Sequence, residues 1–235
     1  MSDNQHNDFS YLAANWAAMR ERVDAACVGA GRAPAEVSIL PVSKTFPAEA
    51  VRAAVALGLH RFGENKVQEI REKAGPLSDC AIDWVVIGHL QTNKAKDVAR
   101  LATEVQSLDR WELADALHKR LQIEGRTLDV LVQVKTSPEE SKSGLDPAEL
   151  PAFLDALDDL PTLRVGGLMT MAVNSDDADA VRACFRQLRD LRDQAVARGR
   201  SLPRLSMGMS GDFAQAIAEG ATEVRIGTAI FGRRT

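Results

Sequence analysis

The stretch SILPVSKTFP, residues 38–47, decides the fold. Ile39, Leu40 and Val42 read as a buried strand, and Pro47 stops it. Between them the turn Ser43-Lys44-Thr45 carries no glycine. An open doubly wound sheet usually opens on a glycine-rich first turn, and a (β/α)8 barrel has no such need. A lysine at the mouth of a buried strand also needs a reason, since lysines ordinarily sit on exposed faces.

Working outward from that strand, a rhythm appears. Further strand-like apolar runs occupy 61–63, 84–90, 104–108, 128–134, 165–171, 205–209 and 224–231, which with 37–42 makes eight. Several are dense in Val, Ile and Leu without alternation, as in strands covered on both faces. Helical patterns lie between them, at 47–57, 67–74, 94–101, 111–121, 147–157, 181–195 and 213–219. Eight alternating units in about 200 residues predict a single (β/α)8 TIM barrel, whose usual size is ~250 residues. An additional helix precedes it, because Phe9, Leu12, Trp16, Met19, Val23 and Cys27 recur at steps of three and four. Residues 1–7 read as a disordered, polar N-terminus, with 8–235 as the barrel domain.

Composition excludes several classes. A net charge of −4 and no basic stripe with interleaved aromatics argue against nucleic-acid binding. No apolar run approaches twenty residues and the N-terminus lacks an apolar signal core, so a cytoplasmic, non-membrane protein is expected. Cys27, Cys80 and Cys184 are few and far apart, which suits buried thiols better than disulfides or zinc. His6, His60, His89 and His118 have no metal-ligand spacing.

In a barrel the strand C-termini face the active site. Lys44 would then point into the mouth, where partial desolvation frees its amine to condense with aldehydes. The ordinary alternative is a rim lysine paired with a carboxylate such as Glu64. At the other end of the chain, LSMGMSGDFAQAI (205–217) runs strand, turn, helix, and VRIGTAIFG (224–232) follows. Barrels often bind phosphate at the loops after strands seven and eight. Ser206, Ser210, Gly227 and Thr228 are the candidate donors; Gly208, Gly211 and Gly227 would allow close approach, and Ser210 or Asp212 would cap the helix. Ordinary turn residues are the rival reading. Arg225 lies inside an apolar strand, so its guanidinium needs an acceptor. A structural ion pair is the usual explanation, and donation to a ligand's ring nitrogen is the functional one. An amine for an aldehyde, a phosphate cradle and a ring-nitrogen donor converge on pyridoxal 5′-phosphate (PLP).

Six blocks carry a resemblance: PVSKTFP, RFGENKVQE (61–69), IGHLQTNK (87–94), ESKSGL (140–145), GLMTMA (167–172) and LSMGMSGDF with VRIGTAIFG. In this order they resemble the YggS/PROSC family, the pyridoxal-phosphate homeostasis proteins, from residue 9 onward. That family is similar to the barrel domain of alanine racemase without its second domain. The resemblance implies that Lys44 holds PLP as a Schiff base and that Asn65 lies near the ring. It implies that Ser206, Ser210, Gly227 and Thr228 hold the phosphate and that Arg225 faces the pyridine nitrogen. Gly211 and the MTMAVN stretch depart slightly from the common form. His89 and Gln91 take no assigned role, and the 141–144 loop reads as a solvated turn rather than a cover.

The function so implied is non-catalytic buffering and supply of PLP, with indirect effects on amino-acid and keto-acid balance. An arginine opposite the pyridine nitrogen disfavours its protonation and weakens carbanion stabilisation. Two-base racemisation needs a second base, and the chain's single tyrosine, Tyr11, lies on the N-terminal helix. The alternatives are a PLP-dependent racemase-like enzyme and a Schiff-base aldolase on the same barrel. PLP-dependent apo-enzymes are the expected transient partners, and a monomer is the expected state.

Overall fold

The structure is a computed structural model that describes residues 9–140 and 142–232. The expected disorder of residues 1–7 lies outside the described residues.

Eight strands form one parallel sheet: β1 (Ser38–Pro41), β2 (Arg61–Glu64), β3 (Asp83–Val86), β4 (Glu104–Leu108), β5 (Leu128–Gln133), β6 (Leu163–Met169), β7 (Arg204–Ser206) and β8 (Glu223–Ile226). β1 pairs with β8, and the order then runs back through each strand to β2. A parallel bridge between Val42 and Gly63 joins β1 to β2 and brings the sheet round into a barrel. Ser43 N donates to Gly63 O at 3.0 Å just above that bridge. The (β/α)8 expectation is therefore the fold observed.

The helices are α1 (Tyr11–Gly29), α2 (Ala48–Val55), α3 (Val67–Ala74), α4 (Ala95–Leu101), α5 (Trp111–Glu124), α6 (Leu150–Leu157), α7 (Ala178–Ala197), α8 (Phe213–Ala218) and α9 (Thr228–Phe231). Each buries one stripe against the sheet; on α7 it is Val181, Cys184, Phe185, Leu188 and Ala195. Asp177 opens α7, its carboxylate accepting from the amides of Asp179 and Ala180. The N-terminal helix is not an appendage. The crossover after β8 supplies only the single turn α9, and α1 packs on α9, α8 and α2, filling the eighth place in the outer ring. Tyr11 Oη and Asn15 Nδ2 tie it to the carbonyls of Phe231 and Ile230. Among the described residues, no helix is long and apolar enough to cross a membrane.

Three strands end three or more residues earlier than the apolar runs predict. β3 stops at Val86 rather than at residue 90. β7 stops at Ser206 because Gly208 turns with φ +96°, where an added Cβ would lie 2.6 Å from that of Ala216. β8 stops at Ile226, and Thr228–Phe231 coil into a turn whose last amides return to Gly227 O. Apolar residues alone do not separate a strand from a buried helical turn.

The barrel interior is lopsided. Leu40 and Val42 of the first strand segment and Val85 and Ile87 of the third form an apolar cluster of their own. The opposite side is polar. At the strand N-termini Arg61 and Arg204 both pair with the buried carboxylates of Glu104 and Glu223.

Candidate functional site

The first strand places Lys44. Leu40 and Val42 face the inner cluster while Ile39 packs outward, and Lys44 follows two residues after Val42, in the turn just past the strand's C-terminal end. It is half-buried. Pro41 registers with Ile226 across the β1–β8 pair, which brings the turn at Lys44 beside Gly227 and Thr228.

The rival partner of Lys44 is engaged elsewhere. Glu64 Oε1 accepts from Lys73 Nζ and from Ser43 Oγ, both at 2.6 Å. Its other oxygen is buried without a partner among the described residues. Burial pushes the Glu64 carboxyl up to about 7, against the pull of Lys73 and Ser43. Lys73 Nζ also donates to Ser43 O at 2.9 Å. One residue beyond Lys44, Thr45 has φ +69°, the left-handed region, which costs a β-branched residue about 1–2 kcal/mol. Its amide donates to Glu69 Oε2 at 2.5 Å.

Arg225 is 5% exposed. Nη1 donates to Ser206 O (2.7 Å) and Ser206 Oγ (2.8 Å), and Nη2 donates to Thr170 O (2.8 Å). None of these bonds uses Nε, and among the described residues no carboxylate forms an ion pair with it. The usual explanation, a structural ion pair, does not apply. Desolvation pushes the guanidinium down to about 10, and the attraction of Glu223 and Asp212 offsets it only in part. A buried cation held by neutral oxygens retains attraction for an anionic or electron-rich group.

Ser206 is not at the mouth. It is fully buried one layer below, donating to Gln106 Oε1 at 2.7 Å and accepting from Arg225. Its hydroxyl thus joins the arginine to Gln106. Ser210 and Thr228 do lie at the rim, half-buried and exposed, at the ends of β7 and β8. Neither Ser210 nor Asp212 caps α8 with its side chain; Asp212 Oδ1 instead accepts from Met209 N. Of the three glycines expected to permit close approach, Gly208 is required by its φ, whereas Gly211 has open space around it. Asn65 ends β2 half-buried, and its main chain packs so tightly on Gly88 that a Cβ there would lie 2.4 Å from Asn65 O. The side chains of Asn65, Ser210 and Thr228 and the Nε–H of Arg225 form no hydrogen bond among the described residues. Asn65, Ser210 and Thr228 follow the C-terminal ends of β2, β7 and β8, the same end of the barrel at which Lys44 follows β1.

The comparisons follow that geometry. The family model for the N-terminal domain of alanine racemase matches residues 8–235. The pyridoxal phosphate homeostasis protein of Pseudomonas aeruginosa is 44% identical over 225 residues, covering 96% of each chain. The chain belongs to the pyridoxal phosphate homeostasis protein family. A second family relative, PipY of Synechococcus elongatus, has been solved with PLP bound; it is 37% identical with a TM-score of 0.82, covering 94% of this chain and all of its own. Alanine racemase of Clostridium difficile shares the fold alone, at 13% identity and a TM-score of 0.74, over 97% of this chain and 57% of its own.

Within this member of the family, sequence reasoning missed Thr170, whose carbonyl holds Arg225, and Gln106, which holds Ser206. The signal for Gln106 was present: Glu104 and Gln106 stand at alternating positions about Val105 in a strand that ends on Leu108. The 141–144 loop is not a solvated turn in its described part. Lys142, Ser143 and Gly144 are half-buried, Gln133 Nε2 donates to Ser143 O at 2.7 Å, and Lys135 N donates to Leu145 O at 2.9 Å. Folding back along β5 satisfies that strand's end. Ser141 lies outside the described residues. His89 is 54% exposed with Nδ1 3.6 Å from Asp109 Oδ2, and Gln91 is exposed ahead of a 3-10 turn.

Proposed function

We propose that this chain binds PLP reversibly through the Lys44 amine and serves in PLP homeostasis, buffering the aldehyde and supplying it to PLP-dependent apo-enzymes. The single observation that carries the reading is Arg225: buried, held by three neutral oxygen bonds, without a carboxylate, and with Nε–H unspent. Its chemistry suits a pyridine nitrogen kept unprotonated. Ser210, Thr228 and the amides opening α9 are the donors proposed for the phosphate, and Asn65 is placed by this reading beside the ring. Ser206 acts through Arg225. When bound, PLP supplies an aldehyde that a primary amine can capture with loss of water.

The reading is of a carrier rather than a catalyst, working as a monomer. In its support, the hydroxyl of Tyr11, on a helix of the outer ring, is spent on Phe231 O at 2.8 Å. It is no second base for racemisation. Borohydride reduction of the PLP-loaded protein should fix the ligand on Lys44, and Lys44→Ala should abolish that adduct. An equal yield of adduct on another residue in the variant would refute the assignment. Deuterium exchange at the α-carbon of added amino acids should be absent; exchange lost in Lys44→Ala would restore the racemase-like reading.

A further inference from the structure

The turn that carries Lys44 is gripped from outside the barrel. Ser43 is held at its amide by Gly63 O, at its hydroxyl by Glu64 and at its carbonyl by Lys73. Thr45 is held at its amide by Glu69, one helical turn before Lys73 on α3. Lys73 Nζ lies 3.6 Å from that same Glu69 Oε2, so one buried ammonium ties both carboxylates to the turn. All three side chains lie outside the mouth, on the opposite face of the sheet from the inward set. We propose that Glu69 and Lys73 of α3, with Glu64 of β2, are positioning residues that hold Thr45 in its left-handed conformation and so aim the Lys44 amine at an aldehyde ligand. This rests on the reading of Lys44 given above.

The physical argument is that Thr45 would not choose φ +69° unaided. Such a conformation persists only where the surroundings over-determine it. Here a charged acceptor takes the Thr45 amide, and an ammonium takes the Ser43 carbonyl, on either side of the lysine. Release of the Thr45 amide lets that residue return to negative φ and rotates the main chain that carries Lys44. Glycine takes positive φ without penalty, so the clamp is dispensable if residue 45 is glycine.

The test measures PLP affinity and the rate of borohydride-trappable adduct formation in the full chain. Glu69→Ala should weaken binding about tenfold, the loss expected for one hydrogen bond to a charged group. Thr45→Gly in the Glu69→Ala background should recover most of that loss. Glu69→Gln keeps an oxygen for the Thr45 amide and should stay within about threefold of the wild type. A role confined to docking α3 would not respond to Thr45→Gly. Wild-type affinity in Glu69→Ala, or a loss that Thr45→Gly does not repair, would overturn the proposal. Should Glu69→Ala fail to fold, Glu69→Gln decides, a tenfold loss there counting against the clamp. Failure of the wild-type chain to trap PLP on Lys44 refutes the functional reading instead, whatever the α3 variants do.

Discussion

Arg225 Nη1 donates to two atoms of Ser206 at once, the carbonyl oxygen at 2.7 Å and the hydroxyl at 2.8 Å. The direction of that second bond is fixed from the far end of the barrel. Glu104 and Glu223, held by two arginines, accept from Gln106 Nε2 at 2.8 and 2.5 Å. The Gln106 amide oxygen therefore faces Ser206 and accepts from its hydroxyl at 2.7 Å, with Glu223 Oε1 a longer second acceptor at 3.3 Å. Ser206 is left with lone pairs for Arg225. Charge at one end of the barrel thus orders a guanidinium near the other.

Replacing Arg225 should separate binding from folding. Arg225→Met removes a buried cation that has no ion-pair partner among the described residues, which favours the fold, and leaves the Thr170 carbonyl without its donor while Ser206 O keeps the Thr170 amide, which costs about 1–3 kcal/mol. The two effects oppose, so thermal stability should move by a few degrees only. PLP affinity should fall by about tenfold or more. Equal affinity in equilibrium titrations would remove Arg225 from the site.

Ser206→Ala distinguishes the two roles open to this serine. If it acts through Arg225, the variant loses about 1–3 kcal/mol of stability, because Gln106 Oε1 loses its donor. PLP affinity drops a few-fold while competition by inorganic phosphate is unaltered. A selective loss of phosphate competition, with stability unchanged, would put Ser206 at the phosphate after all.

Much of this was legible in the sequence and some was not, for definite reasons. Strand–helix alternation was readable because each crossover helix repeats its own apolar stripe, as in α3 over Val67–Ala74, where expectation and structure coincide. The place of Lys44 just past the first strand was readable because it follows that apolar run directly in the chain. The end of β8 was not, since Ile230 and Phe231 are fully buried in a helical turn, as they would be in a strand. Nor was the partner of Glu64: Lys73 lies nine residues on, and only the fold of α3 over β2 brings the two together. The polar floor of the barrel was hidden for the same reason, its four charges coming from four strands.

That floor yields the next prediction. Burial alone would raise the Glu223 carboxyl, but Arg61 and Arg204 hold it below its ordinary value. Its contribution is therefore present above the ordinary carboxylate range and lost as pH falls below it. Glu223→Gln leaves two guanidiniums sharing the single carboxylate of Glu104 and should cost about 3 kcal/mol in urea unfolding. An exposed pair such as Arg164–Asp129 should give less than about 1 kcal/mol on the same assay. Comparable values for the two would show that the floor is solvated rather than structural.

Glu64 should behave in the opposite sense. Its carboxyl is pushed by burial from an ordinary 4.5 to about 7, so between those values the folded chain holds a proton that the unfolded chain releases. Stability from this group is complete below the lower value and is lost as pH rises through the upper one. Glu64→Gln cannot titrate. The melting temperature of the wild type should therefore fall relative to Glu64→Gln between about pH 5 and about pH 8, a slope contrary to that of a salt-bridged surface acid. A difference that stays constant across that range would mean Glu64 remains ionised throughout. Because Ser43 Oγ and Lys73 Nζ both bond to the same oxygen of Glu64, this titration acts on the turn that carries Lys44. The rate of PLP capture should then change over the same pH interval in the wild type beyond the change seen in Glu64→Gln.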